Sequence, residues 1–248
     1  MKNRLITITV SHYCEKVRWA LDYLGIEYVE ENHAPPFHKF YTSREGGSSV
    51  PVLVTKDGAY TDSRSILEYL DRQKEGQLYP TDPSLHQKVA ELEELFDNKL
   101  GVATRCWAYF YAMKNQKMVE NVWLKGIPWW EKIGLKFVLP KMIARLKNGY
   151  KIDEENAVKS LENIREIFSK VEEKLAGDNK YLVGDRLTAA DFTFAALAAP
   201  ILRPKNHPAM NSKVEGMPTE MLPVIKEMRA TVAGKYALNL YKEKRFNK

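Results

Sequence analysis

ITVSHYCEKVRWALDYLGI, residues Ile8 to Ile26, decides how the chain is read. The run RLITITV that leads into it carries β-branched residues at alternate positions and predicts a strand. From Cys14 onward the period changes. Val17, Ala20, Leu21 and Leu24 recur at the one-face spacing of an amphipathic helix, and Gly25 supplies a stop. Ser11 therefore sits where a strand ends and a helix begins, beside free backbone N–H groups and the positive end of the helix dipole. Ser11 and Cys14 bracket two residues, the spacing of a C-x-x-C redox pair whose first cysteine is a serine. Several readings stay open. Ser11 is a plain N-cap, or its hydroxyl serves an anion or thiolate held at the helix end. Cys14 is a thiol of lowered pKa near that end, helped by Lys16 and Arg18, or a small apolar residue buried behind the site. Position favours the buried reading, since the first residue of such a motif faces out and the last faces in.

Downstream, IEYVEE predicts a second strand. APPFHKFYTSREGGSS is a loop with a short helix over 37–43, VPVLV a third strand, KDG a hairpin turn and AYT a fourth strand. SRSILEYLDRQ closes the block as a helix. The order βαβαββα implies a parallel first pair and an antiparallel edge. GQLYPTDPS then reads as a linker, and no strand is predicted beyond Leu85. HQKVAELEELFDNKL is helical and runs on through VATRCWAYFYAM; residues 117–148 are helical with a break at Pro140. The helix DEENAVKSLENIREIFSKVEEKLAG points Val158, Leu161, Ile164, Phe168, Val171 and Leu175 to one side. Shorter helices follow near 188–199, 217–233 and 235–245. The expected organisation is an α/β domain over residues 1–77, a linker over 78–84 and an all-α domain over 85–248.

With 44% hydrophobic and 28% charged residues, the 248-residue chain is in the range of a soluble globular protein with ample core. It lacks the long apolar run of a membrane span, and its N-terminus is too short and strand-like for a signal peptide. Two cysteines, Cys14 and Cys106, make no disulfide scaffold and suit a reducing cytoplasm. The net charge of +6 is dispersed, with YKEKRFNK the most basic stretch. No basic patch with interleaved aromatics repeats, so nucleic acid is not an expected partner; the charge is a mild field for anionic ligands. No metal is expected, since no paired Cys/His or H-E-x-x-H spacing occurs.

Two further stretches carry chemistry. A cis Val50-Pro51 step would turn the backbone of Val50 outward, free to pair with an extended peptide. Thr61-Asp62-Ser63-Arg64-Ser65 heads a second helix, where free amides and hydroxyls suit a carboxylate and Asp62 suits an ammonium group. A ligand with an amine and a carboxylate at one end, a peptide middle and a thiol fits all three places.

The strand, S-x-x-C and helix, then V-P-V-L-V, then D-S-R-S-I-L-E-Y-L, in that order, resemble the thioredoxin-like N-terminal domain of the cytosolic glutathione transferases. YLVGDRLTAADFTFAALAAP resembles that family's capping-box motif, and AGKYALNLYKEKR a terminal segment of bacterial-type members. The resemblance covers 4–76 and 160–200, and less closely the tail; residues 115–150 match nothing in it. It implies that Ser11 hydrogen-bonds the glutathione sulfur, that Val50 clamps the cysteinyl unit, and that Asp62 and Ser63 hold the γ-glutamyl end. Thr188 and Asp191 are then structural. Two positions depart from the pattern: His12 stands where proline is common, and Ser49 where a lysine is often found. Lys39, with His38 second, is left to meet the glycyl carboxylate. A hydrophobic electrophile would bind between the domains, with Tyr13 beside the sulfur and Trp107, Tyr111 and Tyr109 as candidate walls, although an aromatic stripe at helical spacing is more often core. VWLKGIPWWEKIGLKFVLPKMIARL has three readings: a membrane-surface helix, a lid, or a helix packed on its neighbours, the last carrying most weight. The implied activity is conjugation of glutathione, as co-substrate, to apolar electrophiles by a homodimer. The alternatives are a thiol transferase or reductase using Cys14, and a non-catalytic binding or scaffold protein.

Overall fold

A computed structural model describes residues 2–177, 179–209 and 216–246. Its first part runs β1 (Asn3–Thr7), α1 (His12–Tyr23), β2 (Tyr28–Asn32), α2 (His38–Arg44), β3 (Val52–Thr55), β4 (Gly58–Tyr60) and α3 (Ser63–Gln73). The strands form one sheet in the order β2-β1-β3-β4. β1 and β2 are parallel because α1 carries the chain back between them, whereas β3 is antiparallel to both β1 and β4. Leu5, Ile6, Val52 and Leu53 on the two inner strands are fully buried.

The second part is helical: α4 (Pro83–Leu95), α5 (Gly101–Ala112), α6 (Gln116–Trp123), α7 (Trp129–Gly149), α8 (Glu154–Lys174), α9 (Ala189–Leu202), α10 (Leu222–Ala230) and α11 (Val232–Glu243). A π-helical turn over Phe96–Leu100 joins α4 to α5. This is the expected class, an α/β domain followed by an all-α domain. α9 is buried along its whole length. It starts at a capping box in which Asp191 accepts from the Thr188 backbone N–H at 2.7 Å.

Three local expectations change. Pro140 does not break its helix; it sits on the exposed side of α7, and the break falls at Leu124–Pro128. Val158 is 55% exposed, because the buried stripe of α8 runs through Ala157, Ser160 and Ile164. The linker is part of the core. Leu78 and Tyr79 are buried, their amides both donate to Asp71 Oδ1 at 2.7 and 3.1 Å, and the Tyr79 hydroxyl donates to Glu93 Oε2 at 2.6 Å. The basic tail packs on the fold as well. Arg245 is buried, pairing with Glu15 at 2.6 Å and Asp22 at 2.7 Å. Residues 247 and 248 of that tail lie outside the described residues.

The largest departure concerns α1. An amphipathic helix shows its polar face to water, yet Glu15, Lys16 and Arg18 are as buried as Val17 and Trp19. The helix packs against α3 and α9, and its Lys16 reaches Glu93 of α4. Trp19 packs on Tyr241 and Phe192, with ring centroids 4.7 and 5.7 Å away. Its cations are paired: Lys16 Nζ reaches across the domain boundary to Glu93 at 2.6 Å and Asp97 at 2.8 Å, and Arg18 lies 2.6 Å from Glu30 within the sheet domain. Burial pulls the Lys16 ammonium pKa down, but the two carboxylates outweigh it and hold the group charged. Lys16→Met should therefore cost about 3–5 kcal/mol, because Glu93 is left charged without its partner, while adding Glu93→Leu should restore part of the loss. Urea unfolding of the two single variants and the double variant measures that coupling.

Candidate functional site

Ser11 begins the site. Its backbone is extended, and its Oγ accepts the Cys14 N–H at 3.3 Å, so the hydroxyl caps α1 with a lone pair. It opens onto a cavity of about 560 Å³ that also reaches Tyr13, His38, Val50, Asp62 and Ser63. Asp62 is the N-cap of α3, accepting from the Ser65 N–H at 2.9 Å and the Ser65 hydroxyl at 2.6 Å. Two helix N-termini thus face one space, where anionic groups are favoured. The Val50–Pro51 peptide between them is cis, the isomer weighed for it in the sequence. Among the described residues the Val50 amide and carbonyl enter no hydrogen bond, which leaves both free for an extended ligand.

The residues after Ser11 anchor rather than react. His12 Nε2 donates to the Gly101 carbonyl at 2.9 Å, and the Tyr13 hydroxyl donates to the Asp97 carbonyl at 2.6 Å. Burial lowers the His12 pKa to about 3 and raises that of Tyr13 to about 12, so both are neutral. Gly101 is required here, since a Cβ would collide with the Tyr13 hydroxyl. His12, where the family commonly has proline, ties the start of α1 to the head of α5.

Cys14 is fully buried and does not line the cavity. Burial pushes its thiol pKa up, outweighing the Arg18 charge and the Ser11 hydrogen bond. Of the two readings of Cys14, the buried one fits, and Lys16 and Arg18, which the other reading needed, are committed to carboxylates.

Three other sequence candidates are placed differently. Lys39 is exposed and absent from the cavity wall; its neighbour His38 lines it, but burial lowers that imidazole to about 4 and keeps it neutral. Trp107 is in the main core, 1% exposed. Tyr111 lines a second cavity of about 770 Å³, and His12, Arg105 and Tyr109 form a wall common to both spaces. The helical side of the first cavity is made by Val102, Arg105 and Tyr109 of α5 with Leu146 and Tyr150. Positions 102, 105 and 109 share a face of α5, and residue 107 points the other way. Arg105 was missed, although it is the only charge between Lys99 and Lys114. Its guanidinium lies over the Tyr150 ring at 4.2 Å, and among the described residues no carboxylate pairs with it.

The family model for the glutathione S-transferase N-terminal domain matches residues 5–78, and that for the C-terminal domain matches residues 130–218. The chain belongs to the glutathione S-transferase family. A probable glutathione S-transferase from Nicotiana tabacum is 25% identical over 202 residues, covering 80% of this chain and 69% of the relative. The fold matches a Ceriporiopsis subvermispora glutathione S-transferase solved in complex with glutathione, with a TM-score of 0.64 at 16% identity over 98% and 97% of the two chains. It also matches a Methylobacterium radiotolerans glutathione S-transferase complexed with glutathione sulfonate, with a TM-score of 0.57 at 18% identity over 96% and 95%. In this transferase-family chain the space beside α1 and α3 lies within the segment matched by the N-terminal model, while Arg105 and Tyr109 fall between the two matched segments.

His12 gives the site a pH signature. Its folded pKa of about 3 is below the unfolded value of about 6.5, so its contribution is complete above pH 6.5 and is lost as pH falls toward 3. Between pH 6.5 and 4.5 the protein should lose about 2 kcal/mol through this group. Urea midpoints across that range should fall less steeply for His12→Gln than for the parent chain.

Proposed function

We propose that this glutathione S-transferase family member joins the thiol of glutathione to apolar electrophiles, with Ser11 as the activating hydroxyl. The supporting observation is that Ser11, Val50, Asp62 and Ser63 line one cavity from which Cys14 is excluded. Asp62 and the α3 N-terminus would take the amine and carboxylate of the γ-glutamyl end, and the free peptide groups of Val50 the cysteinyl backbone. The sulfur then lies at the head of α1. There the Ser11 O–H donates to it, the helix dipole and Arg105 favour negative charge, and the thiol proton leaves to solvent. The thiolate attacks an electrophilic carbon held against Val102, Tyr109, Leu146 and Tyr150; a C–S bond forms, and the leaving group departs with its electron pair. Two buried free cysteines suit a reducing cytoplasm, and the family resemblance carries a homodimer.

The thiol-exchange alternative needs Cys14 to meet substrate, and burial opposes that. Ser11→Ala should lower kcat/KM for a chlorinated aromatic acceptor by about 10²–10³-fold, with retention on a glutathione column unchanged. Cys14→Ala should leave kcat/KM near that of the parent chain. The opposite pattern would make Cys14 the reacting group and sink the Ser11 assignment.

Dithionitrobenzoate gives an independent reading of the same burial. The native protein should react slowly at both Cys14 and Cys106 near neutral pH, and quickly at both once unfolded.

A further inference from the structure

α7 buries one apolar face and exposes another. Leu135, Leu139 and Met142 point into the protein. On the opposite side Trp129, Ile133 and Phe137 are 73%, 53% and 80% exposed, and Pro140 and Ala144 continue the same row toward the C-terminus. At 100° per residue, Lys132 and Lys136 border that row on one edge, and Lys141 and Arg145 on the other. The single acid of the helix, Glu131, is turned inward, where it accepts from His33 Nδ1 at 2.6 Å and from the Ala34 amide at 2.7 Å. Phe37 packs so closely on Gly134 that a Cβ there would lie 2.7 Å from its ring. These contacts fix the roll of the helix and hold the apolar row outward.

We propose that this face of α7 docks on an anionic phospholipid surface, with the helix lying in the plane of the interface. An exposed row of aromatic and aliphatic side chains between two lines of cations matches a bilayer boundary: apolar side chains enter the acyl region, and cations meet phosphate and carboxylate headgroups. Among the described residues no helix is long and apolar enough to cross a membrane, so the contact is peripheral. A second copy of the chain fits the face less well, because a two-fold pairing would set cationic edges against cationic edges.

Flotation with phosphatidylcholine vesicles, with and without phosphatidylserine, tests the proposal. The protein should float with the anionic vesicles and be released by high salt. Its tryptophan emission should shift to the blue on binding. Trp19, Trp107 and Trp123 are buried, so that shift reports Trp129 and Trp130. Ile133→Ser with Phe137→Ser should reduce partitioning at least tenfold without lowering the thermal midpoint, since both side chains are exposed. If that variant folds poorly, Lys132→Glu with Lys136→Glu leaves the apolar row intact and should weaken binding by about tenfold or more. Equal binding to neutral and anionic vesicles, or binding indifferent to both variants, would overturn the proposal. So would loss of a dimer in the apolar variant with vesicle binding unchanged, which would assign the face to a second copy.

Discussion

The contact between Lys16 and the carboxylates of Glu93 and Asp97 sets the geometry on which the rest of the molecule depends. It lies between α1 of the sheet domain and the α4–α5 junction of the helical domain, with Lys16 and Glu93 shielded from water. Such a pair adds little net stability, because desolvating the charges offsets their attraction. Its effect is on register. A one-residue roll of α1 would take Lys16 away from both carboxylates and leave buried Glu93 without its cation. Glu15 with Arg245 and Arg18 with Glu30 impose the same condition on other sides of the helix. The head of α1, where Ser11 meets the cavity, is thereby held against a wall built by α5.

Features encoded by short-range rules were legible in the sequence. The strands and helices around the sheet, the caps at Ser11 and Asp62, and the capping box of Thr188 and Asp191 each depend on residues a few positions apart. The capping serine and aspartate also contribute to the cavity, so local chemistry led directly to part of the candidate site. Long-range pairing was not legible. Lys16, Arg18 and Arg245 look like surface charges in sequence; their partners Glu93, Glu30 and Glu15 are assigned only by the fold.

Phase decided the other departures. A step of one residue on α2 separates His38 in the cavity wall from Lys39 in solvent, and two residues on α5 separate Arg105 from Trp107 in the core. An aromatic in an apolar helix gives no sign of which way it faces when both sides of that helix are covered. α7 is the extreme case. Apolar residues occupy opposite faces, so no single stripe emerges from the period, and Pro140 reads as a break when it is an exposed position in a continuous helix. The match to known proteins is complementary, since the C-terminal family model begins at residue 130 and leaves the α5 wall to be read from geometry.

The central claim is that the fixed head of α1 uses the Ser11 hydroxyl to hold a bound thiolate. The direct measurement is the pKa of the glutathione thiol on the protein, followed by thiolate absorbance as pH is raised. The account predicts a value lower than that of free glutathione by about one to two units, which returns to the free value in Ser11→Ala and is unaffected in Cys14→Ala. A bound thiol that titrates like free glutathione, or a lowered pKa that survives the loss of the Ser11 hydroxyl, would contradict it.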